Sequence, residues 1–435
     1  MKHRIIGICC LFLLQATASL GQSLLSVRTA VEIALENNYA VRLSQNNLLI
    51  AKENVTHGNA GMLPSVTANL TQNNSVQNSR QVQSNGEERS LDNAKNNNLT
   101  YGVSLGWTVF DGLGMFTRYE RLQEMEKLGD AELKRTMLTT IADVITQYYM
   151  IVEQENLLSA MDSNIIISQE RLHTAENRYS IGKASKLEVL NVQVNLNSDV
   201  STRLRQVEVV KNMKTNLNSL MARDLDEPFH VDRLVSIDEG LVYDDLLDKA
   251  KQLNPDLQLI MINKRLAELD LKNIKASRYP VVRVNSGYNF SRSESSLGFV
   301  SSSNARGLNY GVTASMNIFD GFNQRRNERV AKRQIDQVAL QFEQQQLFIK
   351  TSIKTAYETY LTNLQLTKLE DKNEAIARQN LDITLAKYTI GSISAVEFRD
   401  AQENFINAVS RSNAARLQAK LTEIQLKELI GQLEL

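Results

Sequence analysis

The stretch YGVSLGWTVFDG, residues 101–112, returns in altered form 209 residues later as YGVTASMNIFDG, residues 310–321. In the first copy, bulky residues at odd positions alternate with small or polar residues at even positions from Leu99 to Val109. The second copy alternates in the same way. A period of two with different side chains on the two faces is typical of a β-strand. Alternation alone fits a strand of a soluble hairpin as well as a strand that separates two solvents.

The first 21 residues have the pattern of a secretory signal peptide. Basic residues at positions 2 and 4 precede an apolar run from Ile5 to Leu14, and small residues follow up to Gly21. Both cysteines of the chain, Cys9 and Cys10, lie in this run, so the mature chain is expected to contain none. This excludes disulfides, thiolate metal sites and cysteine nucleophiles.

After this segment the composition is polar and balanced in charge. The chain has 49 basic and 49 acidic residues, and such a balance favours neither nucleic acid nor an anionic membrane surface. No later stretch reaches the roughly 18 apolar residues of a membrane-spanning helix. If the mature chain enters a bilayer, we expect it to do so through strands.

The chain consists of two repeats. The 209-residue offset also aligns RYSIGKASKLEVL from Arg178 with KYTIGSISAVEFR from Lys387, and an offset of 216 aligns ALENNYAVRL from Ala34 with AKQLNPDLQL from Ala250. We therefore predict a signal peptide at 1–21, a first repeat at 22–225, a linker at 226–245 and a second repeat at 246–435. Each repeat would contain a leading helix, two strands and two long helices. The polar stretch near 72–98 is predicted as a loop, longer than its counterpart near 291–307.

The long helices are predicted from the distribution of proline. Residues 112–227 and 281–435 contain none. Apolar residues recur every three or four positions from Val189 to Leu220, which is typical of a coiled-coil seam. The fold class is therefore mainly α with β. The linker breaks this pattern with Pro228 and a short strand-like FHV, and its acidic residues are expected to form a solvated face.

Four strands per chain cannot close a membrane barrel, because the smallest barrels have about eight strands. Chains are therefore expected to share one barrel. Two chains would give eight strands and a lumen filled by side chains, whereas three would give twelve strands and an open passage. Counting strands leaves both arrangements open.

Several motifs together resemble the TolC-type outer-membrane efflux proteins over nearly the whole mature length. They are ALENNY and its partner QLNPDL, the proline after each leading helix, the VFDG and IFDG strand ends, and the RYSIG and KYTIG turns. The resemblance implies a homotrimer in a Gram-negative outer membrane, with a twelve-stranded barrel continued by a periplasmic tunnel of twelve helices. It also implies a passive exit duct that joins a periplasmic adaptor and an inner-membrane RND or ABC pump, for efflux or type I secretion.

The resemblance makes each quoted phrase the returning strand of the barrel, with its bulky face towards lipid and its small face towards the lumen. The residues at the barrel-to-helix junctions are then Phe110, Asp111 and Gly112 in the first repeat, and Phe319, Asp320 and Gly321 in the second. The phenylalanines suit an interfacial aromatic girdle. The aspartates are placed to cap the next helix, and the glycines allow the chain to turn.

The resemblance further implies helix-hairpin tips that contact the adaptor, and a periplasmic constriction. The tip residues would be Tyr179, Gly182, Ser185, Gly391 and Ser394, and the constriction residues would be Glu397, Asp400, Glu188 and Tyr388. Glu397 and Asp400 are three residues apart and share a helical face. A threefold axis would gather them into rings that favour cations.

One residue departs from the pattern of the relatives. Ile393 lies two residues after Gly391, where relatives often have an arginine partner for Glu188. The ionic part of a latch is therefore not carried over to this chain. The alternative interpretation of the acids is a solvated helix face beside Arg399.

No catalytic constellation is found in the sequence. Glu170 and His173 have the Glu-x-x-His spacing of di-metal bundles, and Glu227 and His230 repeat it, but Pro228 interrupts the second pair. Neither a phosphate loop nor a nucleophile with a nearby histidine and acid occurs. We expect no enzyme activity, no cofactor and no metal.

Two functions fit the predicted architecture. The first is the exit duct, and the second is a trimeric surface stalk or adhesin anchored by a shared barrel. A stalk has one anchor at one end, whereas here strand pairs lie inside both repeats. This arrangement favours the duct.

Overall fold

A computed structural model describes residues 23–296 and 300–433, and the predicted signal peptide lies outside them. The described chain is mainly helical, with one four-stranded and one two-stranded sheet. Its elements in order are β1 Ser23–Leu25, α1 Val27–Asn37, α2 Tyr39–Asn54, β2 Ser65–Val82, β3 Glu88–Asp111, α3 Gly114–Ser180, α4 Lys186–Leu220, β4 Phe229–Val231, α5 Tyr243–Leu253, α6 Pro255–Ala276, β5 Val281–Ser295, β6 Ser302–Ser315, α7 Asn323–Ile390 and α8 Ala395–Leu429.

The chain forms two compact units, and the boundary between them crosses the long helices α3 and α7. The helical unit contains residues 23–45, 133–255 and 346–433, and the sheet unit contains residues 46–132 and 256–345. Each unit therefore draws on both halves of the sequence.

The leading helix of each half is broken into two. The Asn38 side chain accepts a hydrogen bond from the backbone N–H of Ala40 at 2.8 Å and donates one to the Leu220 carbonyl at 2.8 Å, where α1 gives way to α2. In the second half α5 ends before Asn254 and α6 begins at Pro255. Proline suits the first position of a helix and disfavours helical backbone in the residue before it.

The core of the helical unit holds the linker in place. The FHV segment forms β4, which pairs in parallel with β1, and both strands bury apolar residues against α1, α3 and α4. The buried Tyr148 hydroxyl donates to the Leu25 carbonyl at 2.8 Å and accepts from the Asp232 N–H at 2.8 Å. Burial raises the pKa of Tyr148 to about 12, so this phenol remains a neutral donor.

The four-stranded sheet is antiparallel, in the order β2-β3-β5-β6. The loop predicted near 72–98 is wrong, because β2 and β3 pair from Ser65 with Gly106 to Val82 with Glu88 and leave only a short turn. Both faces are polar in this stretch, so no alternation reveals a strand. Backbone pairing extends the ladder there, together with an exposed Arg80–Glu88 ion pair and a hydrogen bond from the Asn93 N–H to the Asn78 side chain at 2.7 Å.

The second copy of the repeated phrase is shorter as a strand than its alternation predicts. β3 continues to Asp111, which pairs with Val281 at the start of β5. β6 ends at Ser315, which pairs with Val281 on the other side. The segment beyond Ser315 therefore has no strand left to pair with among the described residues.

The predicted seam of α4 is covered only in part. Val189, Val192, Val210 and Leu217 are buried, whereas Val200, Leu204 and Val207 between them are exposed. A second apolar row lies exposed on α7 at intervals of seven residues, and its members are Leu369, Ile376, Ile383 and Ile390. Apolar residues at such spacing are typical of helices that pack against a further helix.

Candidate functional site

The first helix-hairpin turn joins α3 to α4. Gly182 has φ of +73°, a conformation that glycine adopts without strain. The Ser185 hydroxyl caps α4 by accepting from the backbone N–H of Glu188 at 3.1 Å. Tyr179 is 45% exposed, and the Lys186 ammonium lies 5.4 Å from its ring centroid.

The second turn joins α7 to α8 with the same local chemistry. Gly391 has φ of +85°, and Ser394 and Glu397 form a capping box, with 3.3 Å from the Glu397 N–H to the serine hydroxyl and 3.0 Å from the Ser394 N–H to the carboxylate. Tyr388, which corresponds to Tyr179, is only 1% exposed. The tyrosines at equivalent positions of the two repeats therefore differ, because Tyr179 is exposed and Tyr388 is buried.

Two arginines of α3 cover Tyr388. The Arg171 guanidinium donates to the Ala395 carbonyl at 2.9 Å, and the Arg178 guanidinium donates to the carbonyls of Tyr388 and Thr389, the latter at 3.2 Å. Their guanidinium carbons lie 5.8 Å and 5.0 Å from the Tyr388 ring centroid. The last carbonyls of a helix lack intrahelical partners and carry partial negative charge, so Arg178 both satisfies and stabilises the end of α7.

The electrostatics of this cluster keep the tyrosine neutral. Burial raises the pKa of Tyr388, with Arg171 opposing that rise and Glu188 adding to it. Burial lowers the pKa of Arg171, with Tyr388 opposing. The ring of Tyr388 also stacks on Phe398 of α8 at 5.2 Å between centroids. The cluster therefore joins the first hairpin to the second.

The same seam continues along α3 through buried polar side chains. The Gln402 amide donates to the side-chain oxygen of Asn164 and to the Ser168 hydroxyl, both at 3.1 Å, and Ser168 donates to the Asp199 carboxylate at 2.8 Å. Arg399 pairs with Asp199 at 2.9 Å. The alternative interpretation of Glu397 and Asp400 as solvated acids beside Arg399 remains open, because both acids are exposed, while the Arg399 guanidinium itself is held by Asp199.

Sequence reasoning missed Arg171 and Arg178. Their signal is spacing, because Asn164, Ser168, Arg171, Ala175 and Arg178 recur at intervals of four and three, as buried coiled-coil positions do. The row was overlooked because most of its members are polar. The expected constriction residues Glu397 and Asp400 are exposed near the start of α8, and Glu188 is half-buried near the start of α4.

The two strand-to-helix junctions share one geometry. The Asp111 carboxylate accepts from the Met115 N–H at 3.0 Å, and the Asp320 carboxylate accepts from the Gln324 N–H at 2.7 Å. Each aspartate thus satisfies a free amide in the first turn of the following helix. The next two residues, 112–113 and 321–322, all have positive φ.

The two faces of the four-stranded sheet differ in chemistry. Paired residues point to the same face, and one face carries an apolar set: Val66, Leu70, Tyr101, Val103, Leu105, Trp107, Val284, Tyr288, Phe290, Leu308, Tyr310 and Val312. Most of these side chains are exposed. The opposite face carries Asn, Ser, Thr and Gly, as in the row Asn69, Gly102, Asn289 and Gly307.

A β-bulge places Phe110 on the apolar face. Trp107 pairs with Val284 and Phe110 pairs with Val282, so the extra residue between them moves Phe110 to the side of Trp107. Phe319, the corresponding residue, is exposed beyond the end of β6 and contacts Phe322 edge-on at 5.4 Å.

Histidines and acids do not assemble into a metal centre in the part of the chain that the structure describes. Nowhere in residues 23–296 or 300–433 do three or more histidine, cysteine, aspartate or glutamate side chains gather closely enough to hold an ion. His57 stacks on Tyr119 at 4.7 Å, and the His173 ring lies 3.1 Å from the Asn177 amide. Within the described residues, no helix is both long and apolar enough to cross a membrane.

A family model described as outer membrane efflux protein matches residues 30–223 and 246–432 of the chain. The chain therefore belongs to the outer membrane efflux protein family, a family of channels rather than enzymes. The resemblance to TolC-type proteins drawn from the sequence motifs is confirmed. A comparison with curated protein sequences gives no match.

Solved structures of outer-membrane channels share the fold. The channel OprN is 17% identical, with 93% of this chain and 89% of that chain covered at a TM-score of 0.74. The Campylobacter jejuni CmeC channel is 15% identical, with 93% and 85% covered at 0.76. The Neisseria gonorrhoeae MtrE channel, in its open state, is 16% identical, with 93% and 89% covered at 0.69.

Proposed function

We propose that three copies of this chain form an outer-membrane exit duct, in which their sheets close into one twelve-stranded barrel. The observation that carries the proposal is the sheet itself: one face is apolar and exposed, the other is polar, and β2 and β6 end it on either side. From Tyr101 to Val109 this part of β3 spans nine residues, within the roughly 9–11 residues that a tilted strand needs to cross a membrane.

The length of β6 supports a neighbour at its free edge. β3 is paired up to Asp111 because β5 lies beside it, whereas β6 stops at Ser315 for want of a partner. The 209-residue correspondence maps Asp111 to Asp320. A β2 strand from the next chain would extend β6 over residues 316–320 and remove both free edges.

The exposed apolar row on α7 supports the same assembly in the helical unit. Leu369, Ile376 and Ile383 are the kind of heptad stripe that buries itself against a neighbouring helix, whereas Ile390, the last member of the row, lies at the turn beyond that seam. Three chains rather than two are favoured because eight strands leave a lumen filled by side chains, and a polar inner face without charge clusters suits a water-filled passage.

Disulfide cross-linking tests the closure. By the repeat correspondence, the pair Thr108 and Arg283 within the chain predicts that Asn317 faces Thr67 of the next chain. Thr67→Cys with Asn317→Cys should oxidise to a covalent trimer on a denaturing gel, whereas Thr67→Cys with Asn309→Cys should not, because that pair is eight residues out of register. Native mass spectrometry counts subunits. A measured dimer would mean an eight-stranded barrel without an open passage. A measured monomer would refute the duct.

We further propose that the hairpin turns contact a periplasmic adaptor of an RND or ABC pump. Exposed apolar side chains flank both glycines, among them Ile181 and Ile390, so each turn offers an apolar surface beside helix-capping serines. A photo-crosslinker at Ile181 or Ile390 in living cells should capture the adaptor, and the same probe at Leu204, exposed in mid-helix, should not. Capture at neither turn would contradict the contact.

Glu397 and Asp400 remain the proposed constriction of the duct, with Glu188 and Tyr388 beside it. Three copies of these exposed carboxylates around an axis would favour cations. Glu397→Gln with Asp400→Asn removes both charges while glutamine still serves the capping box. Bilayer recordings should show loss of cation preference and of block by multivalent cations. Unchanged preference and block would locate the constriction elsewhere.

A further inference from the structure

Where all four strands of the sheet pair, Arg283 is the one charged residue on the polar face, and Asp111 at the end of β3 lies on the same face beyond that part. It lies in β5, between Thr108 of β3 and Thr313 of β6. The polar face there comprises residues 65–73 of β2, 98–108 of β3, 283–293 of β5 and 303–315 of β6, taken at alternate positions, and all its other members are Asn, Ser, Thr, Gly or Ala. None of the uncharged residues around it on this face forms an ion pair that would explain an arginine at this position.

The acids nearest to Arg283 are already engaged. Arg283 lines a cavity of about 450 Å³ together with Asp111 and Arg118. Asp111 pairs with Arg118 at 2.8 Å and caps α3, so this pair is neutral. Asp320, near the end of β6, caps α7. Among the residues of the sheet unit that the structure describes, no ion pair to Arg283 is formed.

A neighbouring chain would not neutralise Arg283 either. Both strands beside β5 belong to the same chain, so a strand from the next chain lies beyond β6. The β2 residues that would line the lumen there, from Ser65 to Asn73, carry no charge. The guanidinium therefore faces the passage with its charge uncompensated.

We propose that Arg283 from three chains forms a cationic collar at the helix-side end of the barrel, which draws anionic groups of the cargo, such as carboxylates, phosphates or sulfonates, into the passage. The inference rests on the proposed trimeric duct. A twelve-stranded barrel has a backbone radius of roughly 12 Å, so an arginine side chain brings its charge within about 6 Å of the axis. This is less than the Debye length of about 8 Å at physiological salt. The collar therefore acts on whatever passes.

The absence of cysteine after residue 10 allows the local potential to be measured directly. Thr313→Cys places a thiol beside Arg283 on the same face, and Asn309→Cys places one about 13 Å further along the strand as the control. Both are modified in trimers with an anionic and a cationic methanethiosulfonate reagent of similar size. The ratio of the two rates reports the sign of the local charge.

We expect Arg283→Gln to lower the anionic-to-cationic rate ratio at position 313 by about tenfold and to change it little at position 309. Arg283→Lys should retain the ratio. An unchanged ratio at position 313 in a trimer overturns the collar and leaves the duct standing. Failure of both reagents to modify position 313 overturns the assignment of this face to water. Native mass spectrometry on the same samples shows separately whether the trimer forms.

Discussion

Replacing Gly112 by alanine tests the first junction, with Gly321→Ala as its matched counterpart. Both glycines have left-handed backbone, with φ of +70° and +68°, so either alanine costs roughly 1–2 kcal/mol. They differ in what a Cβ atom would meet. At Gly112 it would lie 2.2 Å from the Ala276 carbonyl oxygen and 2.9 Å from Tyr279 Cβ, whereas at Gly321 the nearest atom belongs to Asn323, at 3.8 Å.

The clash at Gly112 cannot be relieved by a side-chain rotation, because the nearest atom is backbone. The end of α6 must move instead, and such overpacking costs about 1–3 kcal/mol. In an isolated chain we therefore expect Gly112→Ala to lower the free energy of unfolding by about 2–5 kcal/mol, and Gly321→Ala by about 1–2 kcal/mol.

Urea unfolding in detergent measures the difference. Trp107 is the only tryptophan, it lies in β3 near the junction, and its indole N–H donates to the Met62 carbonyl at 2.9 Å. Its emission should therefore report the unfolding of the sheet unit. Gly307→Ala serves as the control, because a Cβ there meets no atom within 4 Å and the backbone is not left-handed. Equal losses for Gly112→Ala and Gly321→Ala would refute the clash.

The same pair of variants separates folding from assembly. The repeat correspondence maps Ala276 and Tyr279 to Ala60 and Leu63. In the proposed trimer the next chain would bring its Ala60 carbonyl to Gly321, as Ala276 lies against Gly112 within one chain. Gly321→Ala should therefore fold but reduce the trimer yield by about tenfold per interface. A full trimer yield by native mass spectrometry would contradict this arrangement.

Three further outcomes are expected. Trp107 emission in reconstituted trimers should be quenched by brominated lipid, because the residue lies on the apolar face; no quenching would reverse the assignment of the faces. Arg178→Met should raise amide exchange in the α7–α8 turn by about tenfold, because the Thr389 carbonyl loses the Arg178 donor and the Tyr388 carbonyl keeps only the Gly391 N–H, whereas the repeat-equivalent Lys387→Met should not. Chiefly through its hydrogen bonds, Arg278 lowers the pKa of Glu328 from its ordinary value of 4.5, so this pair stabilises the fold fully above about pH 4.5 and less as the pH falls; Glu328→Gln should flatten that part of the curve of urea midpoint against pH.

The sequence predicts the elements well where one face is apolar and poorly where none is. Strand β3 between Leu99 and Val109 and the proline-free helices are read from periodicity. The ladder from Asn73 to Asn98 is not, because polar residues occupy both of its faces and no apolar alternation marks it, so backbone pairing and polar cross-strand contacts hold it. The early end of β6 at Ser315 could not be predicted either, because strand length depends on the neighbour and not on the strand's own residues.

For the helix-hairpin turns, the sequence predicts the capping residues at the helix starts but not the contacts between hairpins. Ser185 and Ser394 lie before a glutamate at the right distance, which predicts helix starts directly. The contacts of Arg178 depend on which hairpin packs against which, a tertiary fact that no local motif carries. The burial of Tyr388 follows from those contacts.

The difference between the two turns leads to a last prediction, about where the tunnel opens. Tyr179 and Tyr388 are 209 residues apart in equivalent turns, yet only Tyr388 lies under two guanidinium groups. The residues of the second repeat that correspond to those arginines are Asn380 and Lys387. In the proposed trimer, α7 of one chain would lie against Tyr179 of the next chain, as α3 lies against Tyr388 within a chain. No arginine would then cover the Tyr179 ring.

The contact between the two hairpins of one chain should therefore be stronger than the contact between hairpins of neighbouring chains. We expect the helical end of the duct to open between chains rather than within them. Asn380→Arg with Lys387→Arg would supply the missing groups, each worth about 0.5–2 kcal/mol over an aromatic ring, and should lower single-channel conductance. The effect should vanish in a Tyr179→Leu background, where no aromatic ring remains to stack on. Unchanged conductance, or an equal decrease in that background, would show that the hypothesis of a weaker seam between chains is wrong.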